Sequence, residues 1–222
     1  MRFRARLPLL VVLGLGAALL TCLPINPSHN FEPSGTPFYL KATVRMVKLA
    51  GSRSGYNPTG LFSLDFTGQS LTADTASDTL PAGLVLRSQF QPVQHMIIAK
   101  DQPLVVPAGH DTLMTIGSFC CNELRTPPTD TDYFDIGPIT DNSELQQIIS
   151  ITRLKQLNSS NVLTVQNAIW AVTDGDGLTQ VLIDSLNALP SDTVPAGNPG
   201  IQRIEPGFFS LQKQRARASF RR

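Results

Sequence analysis

TLMTIGSFCCNELRTPP, residues Thr112–Pro128, carries an alternating run into two adjacent cysteines and stops at paired prolines. Over Asp111–Cys121 the alternation sets Met114, Ile116, Ser118 and Cys120 on one face. Leu113, Gly117, Phe119 and Cys121 fall on the other. That period of two predicts a long strand, with one cysteine entering a core and the other pointing away from it. About one helix and a loop further on, VLTVQNAIWAVTD, residues Val162–Asp174, has the helical period instead and holds the only tryptophan. A long strand followed by an apolar helix sets the frame for the rest of the chain.

Upstream, the same period recurs in short pieces. Phe38–Leu49 alternates, with Phe38, Leu40, Ala42, Val44 and Met46 on one side. Leu61–Thr67, Leu80–Ser88, Val93–Lys100 and Leu104–Val106 are further strand candidates. Between them, Gly51–Gly60 reads as a loop, Gly68–Asp78 as a polar turn, and Asp101-Gln102-Pro103 and Pro107–His110 as turns. Short strands closely spaced by turn signals predict an antiparallel sandwich or barrel. Downstream of Pro128, Thr129–Pro138 is expected to be a loop. Three helices are then expected: Ser143–Leu157 with Asn142 or Ser143 as its cap, Asn161–Thr173 stopped by Asp174-Gly175-Asp176-Gly177, and Leu178–Leu189 ended by Pro190. The fold class expected is mainly β with α, an antiparallel β-sandwich or barrel over the first two thirds followed by two to three packed helices.

The chain's 222 residues suffice for one domain and tails. Seventeen prolines and sixteen glycines suit turns better than a helical bundle, and a net charge of +1 offers no field to gather nucleic acid. Arg2, Arg4 and Arg6 followed by the uncharged run Leu7–Leu20 have the layout of a secretory signal. Leu19-Leu20-Thr21-Cys22 resembles a bacterial lipobox, which makes Cys22 the candidate for lipidation. The expected organisation is a signal peptide over 1–22, a tether over 23–36, one globular domain over 37–190 and a Pro/Gly-rich, basic tail over 191–222. Within the domain the β part covers 37–128 and the helical part 142–190. The address expected is the cell envelope or the exterior, with membrane contact only through an N-terminal lipid or anchor.

Cys120 and Cys121 invite a disulfide or a metal, and both fit poorly. Adjacent Cα atoms sit about 3.8 Å apart across a trans peptide, below the usual disulfide range. Zinc sites use paired spacings such as C-x2-C, which the adjacent cysteines and the separate His95 and His110 do not make. Asp174-Gly175-Asp176-Gly177 begins like a calcium loop, but Ser185 stands where the loop's twelfth-position acid belongs. There is no G-x-S-x-G elbow and no phosphate-binding glycine fingerprint. No cofactor and no metal are expected. The Tyr133–Asp135 loop and the turn at His110 are candidate binding surfaces.

Two resemblances bear on function. Phe119-Cys120-Cys121-Asn122, Arg125 and Pro127, taken with Val165-Gln166-Asn167-Ala168-Ile169-Trp170 and Thr173-Asp174, resemble the thioester domains of Gram-positive surface adhesins. In those domains an aromatic-Cys motif is followed by a T-Q-x-A-[IV]-W helix; Val165 stands here in place of the threonine. The resemblance implies an internal thioester between Cys120 and Gln166, formed with loss of ammonia, with Phe119 and Trp170 as shields and Cys121 and Asn122 in support. The stretch Leu80–Pro128 is also similar to uncharacterised exported bacterial proteins with the order P-A-G, Q-x-[ML]-I-[IV], V-P-A-G, F-C-C, which implies an exported β-rich domain. From the residues, the expectation is a non-catalytic binding or structural domain with an unknown surface protein or glycan as partner. The alternative is a thioester domain that attaches covalently to amines on a partner surface.

Overall fold

The computed structural model describes residues 31–54 and 57–192. The expected signal peptide with Cys22, most of the expected tether, and the tail from residue 193 lie outside the described residues. Among the described residues the chain order is β1 (Gly35–Pro37), β2 (Val44–Gly51), β3 (Phe62–Ser70), β4 (Ala76–Leu80), β5 (Leu84–Ser88), β6 (Met96–Ile97), β7 (Gln102–Val106), β8 (Asp111–Cys120) and β9 (Phe134–Thr140). The helices α1 (Ser143–Thr152), α2 (Val162–Thr173) and α3 (Gln180–Asn187) follow.

Seven strands form one sheet in the order β1-β9-β5-β6-β8-β3-β2, and β4 and β7 form a second, two-stranded sheet. Every pairing of these strands is antiparallel. The larger sheet curls back on itself. Ala50, in β2, bridges Tyr133 just before β9, and the Gly51 N–H donates to the Asp132 carbonyl at 3.0 Å. The architecture is thus the antiparallel sandwich or barrel with trailing helices that the strand and turn pattern predicts.

Two cores lie on opposite faces of the central strands. Inside the curl, Leu84 and Leu86 of β5, Met96 of β6 and Ile116 and Cys120 of β8 join Leu64, Phe66, Leu80 and Phe134. On the outer face, Val85, Ile97, Phe119 and Cys121 meet Leu145, Ile148, Val162, Val165, Ala168 and Ile169 from the helices. The register makes two continuous rows. Leu86, Met96 and Cys120 are cross-strand partners facing in, and Val85, Ile97 and Phe119 are partners facing out. Burying a side chain the size of Phe119 contributes about 2–3 kcal/mol. The first half of β8 alternates between exposed and half-buried residues, and from Ile116 onward both faces are buried because the helices cover the outer one.

Several boundaries differ from expectation. Phe38–Lys41 does not join the ladder, because the chain turns at Lys41–Val44, where the Val44 N–H donates to the Lys41 carbonyl at 2.9 Å. A register shift between Met46 and Lys48 then resets the alternation, so Leu49 faces inward. The expected turn over Gly68–Asp78 shrinks, since β3 runs to Ser70 and β4 starts at Ala76. Asp78 disguises β4: it is buried and accepts from the backbone N–H groups of Lys41 (2.7 Å) and Thr79 (2.8 Å). Only Met96–Ile97 of the Val93–Lys100 run forms ladder pairs.

Pro103 lies within β7 rather than in a turn, which a two-stranded ribbon with open edges tolerates. The expected loop Thr129–Pro138 gives way to β9 from Phe134 onward. Its pairing with β5 slips between Leu84 and Leu86, placing Gly137 and Pro138 opposite Val85 as a bulge, one of the few places a sheet accepts proline. β1 begins inside the stretch expected to be tether, and Phe31 already packs against the helix-side core.

α1 starts at Ser143 as expected, while α2 and α3 start at Val162 and Gln180, just inside their expected Asn161 and Leu178. Asn142 caps α1, its side-chain oxygen accepting from the Glu144 and Leu145 N–H groups at 3.0 Å each. α1 ends at Thr152, short of the expected Leu157, and α3 covers only Gln180–Asn187 of Leu178–Leu189. Gly175 (φ 90°) and Gly177 (φ 79°) take the left-handed turns after α2 that residues with a Cβ resist. No described helix is long and apolar enough to cross a membrane.

Candidate functional site

The end of β8 meets α2 through backbone-to-side-chain hydrogen bonds. The Cys121 N–H donates to the His95 carbonyl at 2.8 Å, on the β6 side. By strand alternation, the N–H and C=O of Cys120 point the other way, toward β3. β3 cannot reach them, because it begins at Phe62, opposite Ser118, after the tight turn Asn57–Gly60. Gln166 takes the place of the missing strand. Its Oε1 accepts from the Cys120 N–H at 2.9 Å, and its Nε2 donates to the Cys120 carbonyl at 2.7 Å. Both residues are fully buried.

α2 continues this arrangement along the chain. Thr173 Oγ1 accepts from the Asn122 N–H at 3.1 Å, and Asp174 Oδ2 accepts from the Glu123 N–H at 3.0 Å. Three side chains on α2 and at its end thus satisfy a stretch of backbone that has no strand beside it on the β3 side. Neither Thr173 nor Asp174 was assigned this role from sequence. The available signal was their spacing, seven and eight residues beyond Gln166, which returns to the same helix face.

The other expected site residues divide between the two faces of β8. The Cys120 side chain belongs to the inner core, and Trp170, half-buried, packs against that core too. Phe119 and Cys121 belong to the outer core under the helices. The expectation that one cysteine points away from a core is corrected: each enters a different core, because both faces of the strand end are covered. Both are free thiols. Burial pushes the Cys120 thiol well above its ordinary pKa, and the neighbouring Cys121 adds to the effect. Burial likewise raises Cys121, with Asp174 adding and Arg125 opposing. Both sulfurs are held protonated, hence weakly nucleophilic.

Asn122 is the only described residue other than glycine with positive φ, at 66°. With its amide oriented by its neighbours, its oxygen accepts from the Phe31 N–H at 2.8 Å and its nitrogen donates to the Cys121 carbonyl at 3.2 Å. Next to it, Arg125 Nη1 lies 3.1 Å from His95 Nε2 and Nη2 lies 3.5 Å from Glu32. The His95 pKa is lowered to about 4, first by burial and then by Arg125.

An open cavity of about 170 Å³ adjoins the α2 side of the site, lined by Glu123, Asn167, Trp170, Ala171, Asp174 and Asp176. Burial, then Asp174 and Asp176, raise the Glu123 pKa. The indole N–H of Trp170 is buried with no acceptor among the described residues. Of the expected surface candidates, His110 is exposed, and Tyr133 is 41% exposed with the Lys48 ammonium 5.4 Å from its ring centre, but the expected Tyr133–Asp135 loop is corrected: Phe134 and Asp135 belong to β9, and Phe134 is buried in the inner core. Among the described residues, no three histidine, cysteine or acidic side chains gather where they could hold a metal.

Comparison with protein-family models, with curated proteins and with solved structures gave no match.

Proposed function

We propose that the chain is an exported cell-envelope or secreted domain with a binding or structural role, its partner a surface protein or a glycan. The observation that carries this reading is that both ends of the Gln166 carboxamide are taken up by the Cys120 backbone. That contact accounts for a buried glutamine without any chemistry. The buried, protonated thiols behave as small apolar groups and support the same reading.

A second reading is favoured by the same contact, which holds the Gln166 carboxamide against Cys120 in a site closed to water. The Cys120 sulfur would bond to the Gln166 carboxamide carbon as the C–N bond breaks. The thiol proton would leave with the amide nitrogen as ammonia. The resulting thioester would wait for an amine on a partner surface.

Intact-mass measurement separates the two. The first reading expects the mature protein at its full sequence mass with Cys120 and Cys121 as free thiols. A mass lower by one ammonia, restored to the sequence expectation in Cys120→Ala, would establish the second and overturn the first. The address has its own measurement. Cys22→Ser is expected to move the protein from the membrane fraction to the soluble fraction, and unchanged membrane association would rule out lipidation at Cys22.

A further inference from the structure

Phe31, Glu32 and Pro33 lie across the cysteine end of β8, and one arginine ties them to a buried histidine. The Phe31 ring packs on the outer core and its N–H donates to Asn122. Glu32 pairs with Arg125 at 3.5 Å, and the Pro33 carbonyl accepts from Arg87 Nη2 at 2.9 Å. On its other side, Arg125 presents Nη1 to His95 Nε2 at 3.1 Å, while His95 Nδ1 accepts from the Ser88 N–H at 3.0 Å.

Both nitrogens of His95 therefore face groups that can only donate. A neutral imidazole has one lone pair to offer and satisfies one of them; an imidazolium satisfies neither. Protonation would also set two cations 3.1 Å apart where His95 is 7% exposed and the Arg125 side chain 12%. The charged groups around His95 are Arg125 from the segment after β8, Arg87 from β5 and Glu32 from the N-terminal segment. Asp135 of β9 sits opposite Arg87 and accepts from Gln89. Among the described residues the carboxylate acting on the ring is Glu32, whose side chain is 72% exposed and thus a weak counterweight.

The geometry points to an acid-operated strap: protonation of His95 displaces Arg125, breaks its link to Glu32, and lifts Phe31–Pro33 from Asn122 while β1 stays paired with β9. Neutral pH keeps the strap closed, because burial and Arg125 keep the ring unprotonated until about pH 4. Opening would uncover Asn122 and the outer-core flank beside Cys121.

Hydrogen exchange on the full chain, corrected for the intrinsic pH dependence of exchange, tests this. Between pH 6.5 and pH 4 the amide of Phe31, which donates to Asn122 in the closed strap, is expected to lose at least tenfold in protection, with the amides of β9 unchanged. In His95→Gln, neutral throughout, strap protection is expected to stay level with pH. Equal loss in that variant would show that His95 does not drive the opening and overturn the proposal, as would a wild-type strap equally protected at both pH values. If His95→Gln does not fold, the ring resonance of His95 in the wild type decides. Coincident midpoints for ring and strap support the mechanism, and a ring that titrates with the strap still protected overturns it.

Discussion

Gln166 stands to Cys120 as a neighbouring strand would, accepting from its N–H at 2.9 Å and donating to its carbonyl at 2.7 Å across 46 positions of chain. Gln166→Ala leaves both peptide groups buried and unpaired, at about 1–3 kcal/mol each. A loss of roughly 3 kcal/mol in denaturant unfolding is the expected result. Gln166→Glu should cost about as much at neutral pH, since an ionised carboxylate cannot donate to the carbonyl. Part of that loss should return as the pH falls and the buried acid takes up a proton.

The side chains of Cys120 and Cys121 enter separate cores on opposite faces of β8. Native protein treated with iodoacetamide at pH 8 is expected to show neither residue alkylated on peptide mapping. Unfolded protein should show both. Mild oxidation of the native state should leave the pair unlinked, since the two sulfurs would first have to turn to the same side. Labelling of either cysteine in the folded protein would contradict the burial that raises their pKa values.

Asn122 combines a left-handed backbone with side-chain bonds to Phe31 and Cys121. The two contributions can be separated by comparing variants. Asn122→Gly keeps the backbone geometry accessible and loses only the side-chain bonds, for about 1 kcal/mol. Asn122→Ala loses the bonds and adds about 1 kcal/mol of backbone strain. Thermal melts should therefore rank wild type above the glycine variant and the glycine variant above the alanine variant.

The pH dependence of global stability follows from His95. Its pKa lies near 6.5 in the unfolded chain and is lowered to about 4 in the fold. Between those values the unfolded state binds more protons, so stability contributed by the neutral ring is fully present above pH 6.5 and is lost as the pH falls toward 4. The expected loss is on the order of 2 kcal/mol. Urea unfolding at pH 7 and pH 4.5 should show it, with His95→Gln removing the corresponding part of the slope.

Local alternation made the strands around β8 legible, and the inner and outer sets of Asp111–Cys121 fall as the period of two requires. β9 was hidden because proline and glycine mark loops in a one-dimensional reading. Only the opposing Val85 reveals that Gly137-Pro138 forms a bulge. β4 was hidden by Asp78, whose backbone partner Lys41 comes from outside the strand. At the site, the sequence singled out Cys120 and Gln166 as partners, and the fold brings them together through the cysteine's backbone. The Glu32–Arg125–His95 chain was out of reach, since it joins three segments with no shared period.

Supporting a strand end with a helix that comes later in the chain has a consequence for the partly made protein. Until Gln166, Thr173 and Asp174 are in place, the backbone of Cys120, Asn122 and Glu123 is an open edge beside an apolar Phe-Cys-Cys run. Open, apolar edges recruit strands from other copies. A chain cut before Val162 would keep all nine described strands and lose the residues that close this edge. Such a fragment should self-associate more than the longer chain does, which makes α2 a guard against aggregation as well as a packing element.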